Sequence, residues 1–200
     1  SGNNHNINFF SDLYEIKTSL NHNSIIDVNS EGLIGFHFQN FDQGALGQEE
    51  SHLVHTRTSS FAIFALESFN FDFFDLDVGG RLESVNLKNT SMEKGFFPGA
   101  FSSTVKREIF TNNTVFGGFD FTERAPNAVE LFANGPHHAL EQFEVGDTNM
   151  DVETSYNFSL GYSYNDGLDN LKIETYYNYI DDFIAADRDG TTTAVEGEDM

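Results

Sequence analysis

Apolar and polar residues alternate with a period of two along most of this chain, and this alternation constrains the fold more than any other feature. The clearest stretch runs from Asp75 to Glu83, where Leu76, Val78 and Leu82 fall on one side of an extended backbone. Charged residues of the same stretch fall on the other side. A helix would spread both sets around its axis, so the pattern predicts β-strands with one apolar and one polar face.

The alternating stretches divide the chain into eight predicted strands, joined by connections that are short and long in turn. The strands are predicted near residues 7–20, 24–41, 57–69, 71–87, 99–108, 113–124, 153–165 and 169–185. Short connections near 21–23, 69–70, 112–113 and 165–167 contain residues that favour tight turns, and long ones cover 42–56, 88–98, 125–152 and 186–200. We therefore predict one all-β domain: an antiparallel up-and-down meander of about eight strands, part of a transmembrane β-barrel.

The distribution of apolar residues agrees with strands that bury one face each. Only 38% of the 200 residues are hydrophobic, although 22 are Phe. There is no run of 18 or more apolar residues, which excludes a spanning helix, but a spanning strand needs only about 9–11 alternating residues. Phe and Tyr cluster near strand ends, at 69–74 and 176–183. These clusters indicate either aromatic girdles at membrane interfaces or the general preference of aromatic residues for strands.

Charge and cysteine content exclude several classes of function. The formal net charge is −22, with 32 acidic and 10 basic residues, so no nucleic-acid partner is expected. There is no Cys, which excludes disulfides, thiolate metal ligands and Cys-based catalysis. The acidic groups either attract cationic ligands by focusing the electric field or form an acidic solvated surface without a specific ligand.

A series of motifs between residues 119 and 184 occurs in a distinctive order. It comprises Arg124-Ala125-Pro126, Glu130-Leu131, Gly135-Pro136-His137, Phe143-Glu144-Val145-Gly146-Asp147-Thr148-Asn149, Glu153-Thr154-Ser155 and Tyr176-Tyr177-Asn178-Tyr179-Ile180-Asp181-Asp182-Phe183-Ile184. In this order and spacing the chain resembles the barrel of TonB-dependent outer-membrane receptors. Upstream, the loop sequence Gly44-Ala45-Leu46-Gly47-Gln48-Glu49-Glu50 is also similar to this group. We expect most of these motif residues to be architectural rather than to contact a ligand.

The resemblance implies a location and a transport function. It implies active uptake of a scarce nutrient, such as a metal or a metal complex, through the outer membrane of a Gram-negative cell. The expected partners are outer-membrane lipid, the nutrient at the extracellular loops and the TonB system, which acts through a plug domain. The plug, the TonB box and the full set of about 22 strands do not appear in this sequence. Residues 1–200 are therefore expected to form an internal, partial barrel.

The long loop at 125–152 contains the candidate metal ligands. We name His137, His138 and Glu141 as candidate metal ligands, with Glu144 nearby, because imidazole and carboxylate groups suit zinc and similar ions. His52 and His55 of another long loop could join this cluster, or could simply be exposed. The segment 187–190 weakly resembles a calcium loop, but it lacks the full ligand spacing.

No enzymatic activity and no cofactor are expected, except for a metal ion as cargo. The sequence contains no G-x-S-x-G, H-E-x-x-H or Walker motif. Two other interpretations stay open at this point. One is a small closed eight-stranded outer-membrane barrel with a structural or adhesive role. The other is a soluble acidic β-sandwich that binds sugar or calcium.

Overall fold

One antiparallel sheet dominates the structure. The computed structural model describes residues 7–23, 29–47, 52–137, 140 and 142–188, together with the backbone of 194–195 and 198–199. Within these residues a nine-stranded sheet follows chain order, with one short strand attached beside its fourth strand. The predicted all-β, up-and-down meander is confirmed.

The elements can be given in chain order. They are β1 (Ile7–Asn23), β2 (Ser30–Gly47), β3 (Thr56–Asn70), β4 (Asp75–Lys88), β5 (Glu93–Phe96), β6 (Gly99–Phe110), β7 (Asn113–Arg124), α1 (Ala128–Phe132), β8 (Asn134–His137), β9 (Gln142–Val145), β10 (Glu153–Asn165), β11 (Asn170–Asp181), β12 (Ala194–Val195) and β13 (Glu198–Asp199). The sheet order is β1-β2-β3-β4-β6-β7-β10-β11, with β5 paired to β4. β8 pairs with β9, and β12 with β13, in two small hairpins. None of the helices in the described part of the chain is long and apolar enough to cross a membrane.

All eight predicted strands are present, but several of their bounds differ from the prediction. β1 continues through the predicted turn at 21–23, and residues 24–28, the predicted start of the second strand, lie outside the described residues. Residues 71–74 form a turn rather than a strand, and the Phe71 N–H donates to the Phe74 carbonyl at 3.0 Å. The predicted loop at 42–56 is shorter because β1 and β2 stay paired as far as Ile7 and Gly47.

One face of the sheet is an exposed apolar surface. Strand register places the following side chains on it, and all are more than 40% exposed: Phe36, Phe61, Ile63, Leu82, Phe101, Phe158, Leu160 and Ile173. Some of these rings contact each other across strands, as Phe36 and Phe61 do with centroids 6.3 Å apart. An apolar surface that crosses so many strands is unfavourable in water and matches the outward, lipid-facing side of a transmembrane barrel.

The opposite face is mainly polar and carries a chain of charged groups across neighbouring strands. His37 Nε2 lies 2.6 Å from Glu15 Oε1, and the Arg81 guanidinium donates to His37 Nδ1 at 3.2 Å. Arg81 also donates to Glu83 at 2.9 Å and 3.1 Å. Charged groups such as these suit contact with water, as expected for the inner wall of a barrel.

The sheet is open in the described residues, which decides between the architectures left open by the sequence. β1 and β11 lie at its two edges and do not pair with each other. The eight long strands therefore do not form the small closed barrel. They also do not form the sandwich, since they belong to one sheet instead of two packed sheets. A sheet in lipid needs further strands at both edges, because unpaired backbone groups are costly there.

Two aromatic rings of the polar face lie over glycines on the neighbouring strand. Phe116 of β7 is directly opposite Gly161 of β10, and a Cβ at Gly161 would overlap the ring. Phe64 covers Gly35 in the same way, with 2.6 Å to the ring. A lysine lies above each ring, Lys172 over Phe116 at 5.1 Å and Lys17 over Phe64 at 5.3 Å.

Gly161→Ala is expected to destabilise the barrel by about 1–3 kcal/mol, because the new methyl group would overlap the Phe116 ring in the middle of two strands. Gly80→Ala serves as a matched control, since a Cβ there meets nothing within 4 Å. We expect its effect to stay within about 0.5 kcal/mol. Urea unfolding of the full-length protein in detergent micelles measures both, and equal effects of the two variants would contradict the packing argument.

Candidate metal centre

The loop between β7 and β10 is fastened to the sheet by one arginine. Arg124 ends β7, and its guanidinium donates to Glu130 in α1 at 2.9 Å and 3.1 Å. The same side chain reaches Glu153, the first residue of β10, at 3.3 Å and 3.4 Å. The planar fork of Arg can serve two carboxylates at once. We call Arg124, Glu130 and Glu153 the arginine clamp.

The clamp shifts the ionisation of its members. Hydrogen bonds to Glu130 and then to Glu153 raise the pKa of Arg124, so it stays charged. The pKa of Glu153 is lowered, first by Arg124 and second by the Ile184 N–H, which donates to it at 2.9 Å. Glu153 therefore holds both the loop and the segment that follows β11.

α1 is short and depends on its cap. The Asn127 side chain accepts hydrogen bonds from the N–H groups of Val129 and Glu130, at 2.9 Å and 3.0 Å. Glu130 in turn accepts from the Asn127 N–H at 2.7 Å, which completes a capping box. Glu130 thus connects the helix cap to the arginine clamp.

The apolar side of α1 anchors the loop on the sheet. Leu131 and Phe132 are buried in a cluster with Leu87 of β4 and Phe96 of β5. This cluster is the hydrophobic core of the described structure, since the strands expose most of their apolar side chains. Burial of these groups holds the loop in place while its polar residues face the solvent.

A glycine allows β9 to lie directly against α1. The Gly146 N–H donates to the Ala133 carbonyl at 2.7 Å, and the Asp147 N–H donates to the Glu130 carbonyl at 2.9 Å. A Cβ on Gly146 would lie 2.6 Å from the backbone carbon of Leu131. The close approach requires glycine and fixes the position of the β8–β9 hairpin.

The loop between β2 and β3 joins this hairpin through His52. The His52 N–H donates to the Pro136 carbonyl at 3.2 Å, and its carbonyl accepts from the Asn134 N–H at 3.4 Å. These bonds bring His52 alongside β8 in a strand-like arrangement. Two long loops, distant in sequence, are thereby joined at one point.

Three potential metal ligands meet where the two loops join. The rings of His52 and His137 are stacked with centroids 4.2 Å apart, and His137 Nδ1 lies 2.7 Å from Glu144 Oε1. Glu144 Oε2 lies 4.0 Å from His52 Nε2. One ligand atom of each residue lies within 4.8 Å of the others, and all three side chains are half-buried.

This arrangement has the chemistry of a first-row transition-metal site. A metal ion that replaced the proton between His137 Nδ1 and Glu144 would be bound by these two groups and by His52, with the other ring proton of His137 on Nε2. Tetrahedral zinc, with bonds of about 2.0–2.2 Å, separates its ligands by roughly 3.3 Å, so a modest closure of the three groups suffices. Three protein ligands leave a fourth position open for exchange.

The structure changes the membership of the predicted metal cluster. His137 is in it, together with Glu144, which the sequence named as a nearby carboxylate, and His52, one of the two histidines that could join from the other long loop. His138 and Glu141 lie outside the described residues. His55 lies elsewhere, with Nε2 2.6 Å from Asp42 Oδ1 and its ring edge-on to Phe10. Of the weak calcium loop at 187–190, residues 189–190 lie outside the described part of the chain.

Sequence reasoning missed α1, and it could not decide which of His52 and His55 lies beside His137. The helix had a local signal, because Asn127 followed by Glu130 has the spacing of a capping box. His52 had no such signal, because its partner His137 is far away in the sequence and no pattern links the two loops.

Comparison with known families agrees with this architecture. A family model described as TonB dependent receptor-like, beta-barrel matches residues 1–198. The match extends over nearly all of the 200 residues and includes the strands, the arginine clamp and the three candidate metal ligands.

Acidification is expected to release the clamped loop. Because the folded state lowers the pKa of Glu153, the clamp contributes stability above the ordinary carboxyl value of 4.5 and loses it as pH falls through the lower folded value. Hydrogen exchange of residues 125–152, corrected for intrinsic rates, should show protection at pH 7 that is lost as the pH falls below the ordinary carboxyl value.

Glu153→Gln should reduce this protection at pH 7 and flatten its pH dependence. Glu174→Gln is the control, since Glu174 is paired with Lys172 at 2.8 Å on β11, away from the loop. An unchanged pH profile in Glu153→Gln would show that the clamp does not hold the loop.

Proposed function

The chain belongs to the TonB dependent receptor-like β-barrel family, and from this premise we propose that it captures a divalent transition-metal ion or its complex for uptake. Proteins of this family are outer-membrane receptors that transport through the TonB system rather than enzymes. The cluster of His52, His137 and Glu144 is the observation that carries the proposal. His138 and Glu141 are proposed as further ligands from the same loop.

The position of the cluster supports capture rather than permanent storage. It lies on long loops at one end of the meander, whereas the short connections at 71–74 and 111–112 lie at the other. In barrels of this type, long loops face the outside of the cell. An open fourth coordination position lets a metal arrive from a donor molecule and leave again.

The charge of the chain supports a cationic cargo. The formal net charge of −22 creates a negative potential that raises the local concentration of cations near the loops. Neutral imidazole groups at the site then favour zinc-like ions over magnesium and calcium, which prefer oxygen ligands alone. Bulk charge attracts the cation, and the two histidines select it.

His52→Ala and His137→Ala should each weaken zinc binding at least about tenfold, because each variant leaves two of three ligands. Isothermal titration calorimetry of the full-length protein in detergent, at pH 7, measures this effect. His138→Ala and Glu141→Ala test whether these two residues add to the site.

His55→Ala is the matched control, because His55 is another long-loop histidine paired with a carboxylate. It should leave zinc affinity unchanged. Uptake of radioactive zinc by cells should fall with His137→Ala and require an active TonB system. Unchanged affinity in both His52→Ala and His137→Ala would remove the metal proposal, and the family assignment would stand without it.

A further inference from the structure

A pocket of about 600 Å³ is lined both by the inner wall of the sheet and by the loop that contains α1. Strand register places Gln39, Ser60 and Val85 of its lining side by side on β2, β3 and β4. Gln39 is two residues from His37, so this row belongs to the inward, polar face. The loop segment 125–129 also lines the pocket. Its volume is in the range of ligand pockets, about 300–1,000 Å³.

The charged groups that line the pocket already have partners. Glu83 accepts from Arg81 at 2.9 Å and 3.1 Å, and Glu123 accepts from the Gly99 N–H at 2.8 Å. Arg124 is held in the arginine clamp. An ionic ligand would find no free group of opposite charge in this lining, and burial of an unpaired charge is costly. The pocket therefore suits a neutral molecule.

The neutral polar groups of the pocket, in contrast, are free. In the part of the chain that the structure describes, the side chains of Gln39, Gln43, Thr58 and Ser60 have no hydrogen-bond partner. Ser60 is the most informative of them, because only 7% of it is exposed. A buried hydroxyl without a partner is costly, and a hydroxyl of a ligand would supply the missing hydrogen bond. Amide and hydroxyl side chains both donate and accept, as the hydroxyls of a ligand do.

Apolar groups complete the lining and restrict the ligand further. Phe41, Val85 and Pro126 line the pocket together with the polar side chains. Phe41 lies between Gln39 and Gln43 on the same face of β2. A ligand must therefore present apolar surface to the ring and hydroxyls to the amides. A sugar meets both conditions, since its C–H groups form apolar faces and its hydroxyls surround the edge.

We propose that this pocket binds a neutral, hydroxyl-rich molecule of the size of a mono- or disaccharide. Gln39 and Ser60 form hydrogen bonds with its hydroxyls, and Phe41 packs against a face of its ring. The site is separate from metal capture, since His52, His137 and Glu144 are not among the residues that line it.

Saturation-transfer NMR titrations of the full-length protein test the site, with maltose, cellobiose and sucrose as probes. The protein is kept in a polyoxyethylene detergent, because this detergent has no sugar headgroup that would compete. At least one of the three sugars should bind in a saturable manner. Glucuronate should compete at least about fivefold less well than glucose, because its carboxylate would meet Glu83 and Glu123.

Gln39→Ala and Ser60→Ala should each weaken sugar binding about three- to tenfold, because each variant removes hydrogen bonds to the ligand. Ser60→Ala is the cleaner of the two. It removes a hydroxyl that has no partner among the described residues, so the folded state loses no hydrogen bond.

Asn40→Ala and Ser59→Ala are the matched controls. Asn40 and Ser59 are the next residues on the same two strands, face outward, and bond to each other at 2.7 Å. Both controls should leave sugar binding unchanged. Absence of saturable binding for all three sugars, equal losses in the inward and outward variants, or equal competition by glucose and glucuronate would overturn the proposal. None of these results bears on metal capture, which is measured with zinc.

Discussion

The contact between Arg124 and two glutamates fixes the long loop between β7 and β10 to the sheet. It joins the end of β7, the cap of α1 and the start of β10 in one group of charges. The strands themselves expose most of their apolar side chains, so they cannot position a loop by burying it. The clamp and the small core around Leu131 hold the loop in place instead. The β8–β9 hairpin and the candidate metal ligands are positioned by this loop.

The two faces of the sheet present different kinds of side chain. The outward face presents aromatic and aliphatic side chains. The inward face pairs its charges, as in the contacts among Glu15, His37 and Arg81. The long loops at one end contain the candidate metal ligands His52, His137 and Glu144.

Much of the fold could be predicted from the sequence, because a period of two is a local signal. Strands such as β4 and β10 alternate so clearly that the face on which each side chain lies follows from the pattern, and the turn at Gly167, with φ of 91°, follows from residue type. Strand ends were predicted less well. Phe71 and Phe74 are residue types that favour strands, yet they form a turn, because the pairing of β3 with β4 ends at Asn70 and Asp75.

The candidate site was only half predictable, for a physical reason. His137 and Glu144 are close in sequence and could be grouped by inspection. His52 enters through backbone hydrogen bonds to Asn134 and Pro136, and such bonds leave no trace in side-chain identity. The open edges at β1 and β11 could not be predicted from alternation either, since the number of strands that close a barrel depends on pairing over the whole chain.

The rings of Phe116 and Phe64 over their glycines have a consequence for assembly. A strand that slips by two residues keeps its apolar side outward, so the membrane alone does not reject the error. Such a slip would move Phe116 from Gly161 to Ser159 or Ser163, and Phe64 from Gly35 to Leu33 or His37. Those side chains fill the space that the ring needs. Each ring–glycine pair therefore fits the observed alignment of its two strands better than an alignment shifted by two residues. The pair can favour this alignment before the neighbouring strands have joined the sheet.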